Sequence, residues 1–181
     1  MTEKQTANSS EHEGKQQFCT FQLAERLYGI NILDVKEITT EVNITPVFHA
    51  PGGVKGYVNI RGQVHLVLDL KLLLGFSAME ITDQSRIVLL KSKVGESFGV
   101  LVEEIRDVVD VDLSLIKDRR ARQGGTPHEG QERRQQGSNL IAGVCKLEES
   151  LLVVLKANRI LFSLENVANQ TQGQELNHGA Q

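Results

Sequence analysis

The stretch Tyr28–Ile38, which reads YGINILDVKEI, has a near copy 70 positions later in Phe98–Val108, which reads FGVLVEEIRDV. The two stretches agree in residue character at all but two positions. Each begins with an aromatic residue and a glycine and ends with a basic, an acidic and an apolar residue. A self-match of this kind predicts two similar structural units in tandem.

A second and looser match joins the 19 residues that begin at Gly56, GYVNIRGQVHLVLDLKLLL, to those that begin at Gly143, GVCKLEESLLVVLKANRIL. Here the offset is 87, and the increase of 17 is close to the length of the stretch 117–139. That stretch contains no Val, Ile, Leu or aromatic residue and has a net charge of +3. We interpret it as a flexible, Arg-rich loop inserted into the second unit.

The units are predicted to be built from strands. Apolar and polar residues alternate from Cys19 to Leu23, as in a half-buried strand. Arg61-Gly62 separates two apolar runs, as in a tight hairpin. Short helices are expected near 70–74 and 157–167. The predicted class is all-β with short helices, as two small barrels of four or five strands, since closure removes exposed strand edges.

The domain boundaries follow from composition. Residues 1–17 and 166–181 are rich in Gln, Asn, Glu and Gly and are expected to be flexible tails. Between them we place a first barrel at about 18–86 and a second at about 87–165, with the insertion 117–139 in the second. A terminal segment could cross between the barrels.

No residue pattern predicts catalysis, a metal site or a cofactor. Gly95–Gly99 matches the G-x-S-x-G nucleophile motif around Ser97, but that motif needs a helix after the serine, and these residues are followed by a strand pattern. An esterase acting through Ser97 is therefore only a third choice. The five His and two Cys residues are scattered, without the spacing of metal ligands.

Charge and hydropathy limit the other classes. The polar N-terminus and a longest apolar run of only Leu151–Leu155 predict a cytoplasmic protein without membrane insertion. The Arg-rich loop 117–139 leaves a small-barrel nucleic-acid-binding protein as the alternative function. Against nucleic acid as a partner, the loop has no aromatic residue for base stacking and the net charge of the chain is −3.

The pattern P-x-x-V-x-G-x-x-N-I-R-G, which begins at Pro51, and the segment from Tyr28 to Ile38 together resemble the CheW family of chemotaxis coupling proteins over about 18–165. The resemblance implies a CheW-like domain of two SH3-like five-stranded barrels without enzymatic activity. It also implies two partners, the regulatory domain of the chemotaxis histidine kinase CheA and the cytoplasmic tip of methyl-accepting chemoreceptors. Such an adaptor is recruited to receptor arrays at the membrane.

The resemblance and the repeat together suggest partner-binding residues, namely Val35, Glu37, Asn59, Arg61, Gly62, Gly99, Ile105 and Val108. Val35 and Ile105 fit a barrel core equally well. Two features depart from the family pattern: His65 stands where Pro is common, which questions the local strand geometry, and the insertion 117–139 is unusually long.

The repeat also predicts one asymmetric contact. Glu37 aligns with Asp107, whereas Arg61 aligns with Glu148. The first unit can therefore form a Glu37–Arg61 ion pair, while the second unit would bring two acids together. We expect the pair to orient the turn at Arg61 for a partner.

Overall fold

The computed structural model describes residues 14–95, 97–118 and 137–164. Ten strands form most of its regular structure, short helical turns form the rest, and one turn of α-helix, α1, follows β5. The strands are β1 (Lys15–Leu23), β2 (Arg26–Asn31), β3 (Val35–Thr39), β4 (Val54–Ile60), β5 (Gln63–Asp69), β6 (Arg86–Leu90), β7 (Phe98–Val102), β8 (Glu104–Asp112), β9 (Ile141–Lys146) and β10 (Leu151–Leu155), and α1 is Leu70–Leu73. The predicted all-β class is confirmed.

The strands form two sheets of five. Sheet I has the order β8-β1-β2-β10-β9, and sheet II has the order β3-β6-β7-β5-β4. The two orders are equivalent when β1 to β5 are matched in turn with β6 to β10, so that β1 corresponds to β6 and β5 to β10. The parallel pairs obey the same rule, since β2 pairs with β10 and β7 with β5. The repeat seen in the sequence is therefore also a repeat of topology.

The sheets do not follow the expected division into barrels at 18–86 and 87–165. β3 pairs with β6 of the second unit, and β8 pairs with β1 of the first. Strands β9 and β10 also join the sheet of β1 and β2, so the crossing involves more than a terminal segment. The hairpin β1–β2 is flanked by β8 and β10, and the hairpin β6–β7 is flanked by β3 and β5, so strands of the other unit satisfy both open edges of these two hairpins.

The hairpin of β4 and β5 turns through Arg61 and Gly62, as predicted. Both residues have positive φ, 50° and 83°, which fits a two-residue turn whose twist matches that of the strands. His65 pairs with Val58 in a register that is unbroken from Gly56 to the turn. The departure from the family pattern at His65 therefore leaves the strand regular at that position.

Two isolated bridges occupy equivalent places after β3 and β8. Thr45 and Tyr57 exchange two backbone hydrogen bonds of 2.8 and 2.9 Å, and Lys117 and Val144 exchange two of 2.9 and 3.0 Å. Tyr57 and Val144 are the residues aligned by the offset of 87. In both sheets, the chain beyond one edge strand therefore reaches the other edge strand.

Within the described part of the chain, the buried side chains form one large cluster and one small one. The large cluster draws on both sheets and includes Phe21 and Phe98, which are almost fully buried. The small cluster belongs to sheet I, and its buried members are Phe18, Val111, Cys145, Leu152 and Val154. Most of the hydrophobic stabilisation therefore comes from the large cluster.

A buried carboxylate fixes the segment that follows β5. Asp69 accepts hydrogen bonds from the amides of Leu72 (3.0 Å) and Met79 (2.8 Å). Its oxygen also lies 3.7 Å from the Lys55 ammonium. Asp69 thereby caps α1 and holds the chain beyond it against β4.

Some boundaries differ from expectation. The N-terminal tail was expected to reach residue 17, but β1 begins at Lys15, because residues 15–17 pair with the long strand β8. Near the expected C-terminal helix, residues 157–164 are helical. The rest of both tails and most of the insertion, 119–136, lie outside the described residues.

Candidate functional site

The predicted contact residues fall into separate groups. Sheet II carries five of them near β3 and the β4–β5 turn, namely Val35, Glu37, Asn59, Arg61 and Gly62. Gly99 lies in the central strand β7 of the same sheet, whereas Ile105 and Val108 lie on β8, the edge strand of sheet I.

The predicted ion pair is confirmed. Arg61 Nη1 lies 3.4 Å from Glu37 Oε2, and the arginine side chain is 82% exposed while the glutamate side chain is 28% exposed. Beside this pair, Lys36 Nζ donates a 3.4 Å hydrogen bond to Gln63 Oε1. Two side-chain contacts thus join the edge strand β3 to the β4–β5 turn, and the contact with Glu37 limits where the Arg61 guanidinium can point.

Exposed apolar side chains extend this site beyond the predicted residues. Tyr57 is 46% exposed and Val64 is 62% exposed. Val64 pairs across the hairpin with Asn59, two residues from Tyr57, so the three side chains share one face of β4 and β5. We call Glu37, Tyr57, Asn59, Arg61 and Val64 the Arg61 face. In the sequence, Tyr57 and Asn59 alternate with the apolar residues Val58 and Ile60, and this pattern could have identified Tyr57 as a surface residue.

The remaining predicted residues differ in accessibility. Val35 and Ile105 are partly buried and pack against the large cluster. Val108 is 50% exposed and is available for contact. Gly99 is buried, and a Cβ there would lie 2.6 Å from Ile87 Cγ2. Gly99 therefore allows close packing within sheet II, and we expect no direct partner contact from it.

Sequence reasoning missed a contact between Ser97 and His65. Ser97 Oγ lies 2.6 Å from His65 Nδ1, and the histidine is 2% exposed. Burial, and secondarily the positive charge of Lys36, lowers the pKa of His65 below its ordinary value of 6.5, while Glu37 opposes the shift. Ser97 leads directly into β7, so the strand–turn–helix of a nucleophile elbow is not formed. The contact instead joins the ends of two neighbouring strands.

The described residues, 14–95, 97–118 and 137–164, contain neither a metal-binding cluster nor a membrane-spanning helix. Among them, no three His, Cys, Asp or Glu side chains come together in a way that could hold a metal ion. No helix in these segments has both the length and the apolar character required to span a membrane.

Comparisons with known proteins agree on one family. The family model described as CheW-like domain matches residues 17–165. A "Chemotaxis protein CheW" of Treponema pallidum (strain Nichols) is 33% identical over 160 residues, which cover 84% of this chain and 87% of the relative. Its namesake from Bacillus subtilis (strain 168) is 30% identical over 141 residues, covering 78% and 83%.

A solved structure gives the same result. The crystal structure of the scaffolding protein TtCheW from Thermoanaerobacter tengcongensis matches with a TM-score of 0.64 and 25% identity. The match covers 80% of this chain and 91% of that one. The family match, the relatives and the two repeated five-stranded sheets lead to one conclusion: this chain belongs to the CheW family of chemotaxis proteins.

Proposed function

We propose that this protein is a non-enzymatic adaptor that couples chemoreceptors to the histidine kinase CheA. The regulatory domain of the kinase and the cytoplasmic tip of the receptor are the two partners, and binding them recruits the protein to receptor arrays at the membrane. The match of residues 17–165 to the CheW-like domain is the observation that carries the proposal.

The Arg61 face is the surface that we assign to one of these partners. Protein interfaces combine exposed apolar or aromatic side chains with a few placed charges, and Arg and Tyr are frequent among the residues that dominate binding. The face has both features in Tyr57, Val64 and the guanidinium of Arg61. Glu37 restricts the guanidinium, so less side-chain entropy is lost on binding.

A binding experiment tests the adaptor function as a whole. The purified full chain is passed over the immobilised regulatory domain of CheA and, separately, over an immobilised receptor tip. We expect both to retain it. If neither partner retains the folded chain, the adaptor function is refuted.

A double-mutant cycle tests the Arg61 face. We expect Glu37→Ala and Arg61→Ala each to weaken binding of one partner by about threefold to tenfold, and the double variant to bind no more weakly than Arg61→Ala alone. An exposed pair contributes only about 0.2–1 kcal/mol to stability, so all three variants should fold, which circular dichroism would verify.

Glu148→Ala supplies the matched control, because Glu148 is exposed and occupies the position equivalent to Arg61 in the second unit. We expect its binding to equal that of the unmodified chain. Strictly additive losses in the cycle would show that Glu37 does not act through Arg61.

A further inference from the structure

The two sheets end differently at equivalent positions. In sheet II, the Glu37–Arg61 and Lys36–Gln63 contacts bring polar side chains across the end of the sheet. The aligned residues of sheet I are Asp107 with Glu148 and Arg106 with Ser150. Two carboxylates cannot form the first contact, so sheet I lacks the ion pair that crosses the end of sheet II.

The interior beneath these ends differs as well. His65 and Ser97, which are hydrogen-bonded in sheet II, are replaced by Leu152 and Leu27 in sheet I, where they are register partners on β10 and β2. The polar contact of one sheet is thus an apolar contact in the other. The end of sheet I combines an apolar interior with the loss of the ion pair.

An open groove of about 1090 Å³ lies at this end, and all five strands of sheet I contribute to its lining. Leu27, Val109 and Leu147 line it, are partly buried, and pack against the small cluster. Leu151, which is 53% exposed, also lines it. In sheet II the equivalent of Leu147 is Ile60, which is only 4% exposed. Sheet I therefore leaves accessible an apolar position that sheet II buries.

The uncompensated charge of the groove is negative. Within the described segments, Glu25, Asp107 and Glu149 line the groove without an ion-pair partner. Its two arginines do not offset these three carboxylates, since Arg106 pairs with Glu104 at 2.9 Å and Arg26, which lies over the ring of Phe76 at 5.9 Å, supplies a single positive charge. An occupant with positive charges beside an apolar group would match both the lining and the charge.

We propose that this groove is a second docking site, which binds a protein segment carrying a large apolar side chain flanked by Lys or Arg residues. The apolar side chain lies against Leu27, Val109 and Leu147, and the basic residues face Asp107 and Glu149. The site goes beyond the adaptor function proposed above, because it lies on the other sheet from the Arg61 face. The same carboxylates disfavour a phosphate-bearing occupant.

The test uses three synthetic peptides and the ¹⁵N-labelled full chain. The probe is acetyl-Lys-Lys-Val-Phe-Val-Lys-Lys-amide, and the controls replace every Lys by Glu or the Phe by Ser. We expect the probe to shift the amide resonances of the groove lining in a saturable manner, and each control to bind at least tenfold more weakly. Added salt should weaken binding of the probe, since the rim charges are exposed.

Charge reversal locates the site. We expect the double variant Asp107→Lys with Glu149→Lys to bind the probe about tenfold more weakly, and Leu151→Ser to weaken it several-fold. Asp110→Lys is the matched control, because Asp110 is exposed on β8 but does not line the groove, and its affinity should stay unchanged. All these positions are exposed at the surface, so the variants should keep the spectrum of the folded chain.

Three results would overturn the proposal: equal binding of the Glu peptide, shifts confined to the Arg61 face, or insensitivity to the double charge reversal. Self-association of the chain that the double reversal abolishes would assign the groove to a second copy instead. Loss of probe binding would leave retention by the kinase domain and the receptor tip unaffected, so failure here is distinguishable from failure of the adaptor function.

Discussion

The substitutions Gly29→Ala and Gly99→Ala form a matched test, because the two glycines are equivalent in β2 and β7 but have different surroundings. A Cβ on Gly99 would lie 2.6 Å from Ile87 Cγ2, 2.8 Å from Leu89 Cδ2 and 3.2 Å from the Val88 carbonyl oxygen. Contacts below 3.0 Å force movement, and the nearby backbone oxygen restricts it. Gly99→Ala is therefore an overpacking substitution in the middle of sheet II.

The magnitudes follow from the two opposing effects. Overpacking a well-packed core costs about 1–3 kcal/mol, whereas replacing glycine by alanine recovers about 0.4–1 kcal/mol from the unfolded chain. For Gly99→Ala we expect a net loss of about 1–2 kcal/mol. At Gly29 the nearest atoms would be Leu152 Cδ1 at 3.0 Å and Phe18 Cβ at 3.3 Å, so smaller shifts suffice and Gly29→Ala should cost less than about 1 kcal/mol.

Urea unfolding followed by far-ultraviolet circular dichroism measures both, and the chain has no Trp to serve as a fluorescence probe. The unfolding midpoint of Gly99→Ala should fall with an unchanged denaturant slope, and its Tm should fall by roughly 2–8 °C. Equal losses for the two variants would refute the packing argument. Weakened partner binding by Gly99→Ala at full stability would instead make this glycine a direct contact.

Three other predictions follow from single groups. The pKa of His65 is lowered chiefly by burial, so the native state binds a proton less readily than the unfolded chain does. The free energy of unfolding should therefore fall as the pH drops below about 6.5 and become level below the native pKa. In urea unfolding at several pH values, His65→Gln should flatten this dependence. Burial raises the thiol pKa values of Cys19 and Cys145. An aromatic disulfide reagent at pH 8 should therefore modify both thiols of the folded chain at least about a hundredfold more slowly than those of the chain unfolded in urea. Fast labelling of the folded chain would contradict their burial. Asp69→Ala should cost about 2–4 kcal/mol in the free energy of unfolding, since it leaves two amides without an acceptor and removes the ion-pair partner of Lys55, which keeps only its hydrogen bond to the Met79 carbonyl oxygen. A loss below about 1 kcal/mol would show that the segment after β5 is anchored by other contacts.

Sequence patterns predicted the features that depend on residues close together in the chain or on the alignment of the two repeats. The hairpin at Arg61-Gly62 was predictable because strand alternation and turn residues act over a few positions. The Glu37–Arg61 pair was predictable because aligning the repeats showed where charges differ. The exchange of strands between the two units was not predictable from the sequence, because a pairing such as that of Phe18 with Val109 joins residues about one repeat apart and leaves no local signal.

The features that sequence analysis missed, the Ser97–His65 contact and the groove on sheet I, also depend on pairings between distant parts of the chain. Ser97 reaches His65 only because β7 and β5 are parallel neighbours, and the groove exists because of side chains from five strands. For Gly99 the structure shows close packing against β6, while its predicted role in partner binding stays a prediction. A glycine in a strand marks a close approach, and sequence does not tell whether a partner or a neighbouring strand makes it.

The strand exchange bears on how such a chain could be divided. A polypeptide with only β1 to β5 would contain the hairpins β1–β2 and β4–β5, yet neither would have its neighbours from sheet I or sheet II. Two copies of such a half could supply one another, since each would donate its third strand and second hairpin to the other and form both sheets around a two-fold axis. In the single chain the same relation remains in the topology and in the sequence repeat, but the aligned residues are no longer identical. With no symmetry to preserve, a substitution at Arg61 or at Glu148 alters one end of the molecule and spares the other.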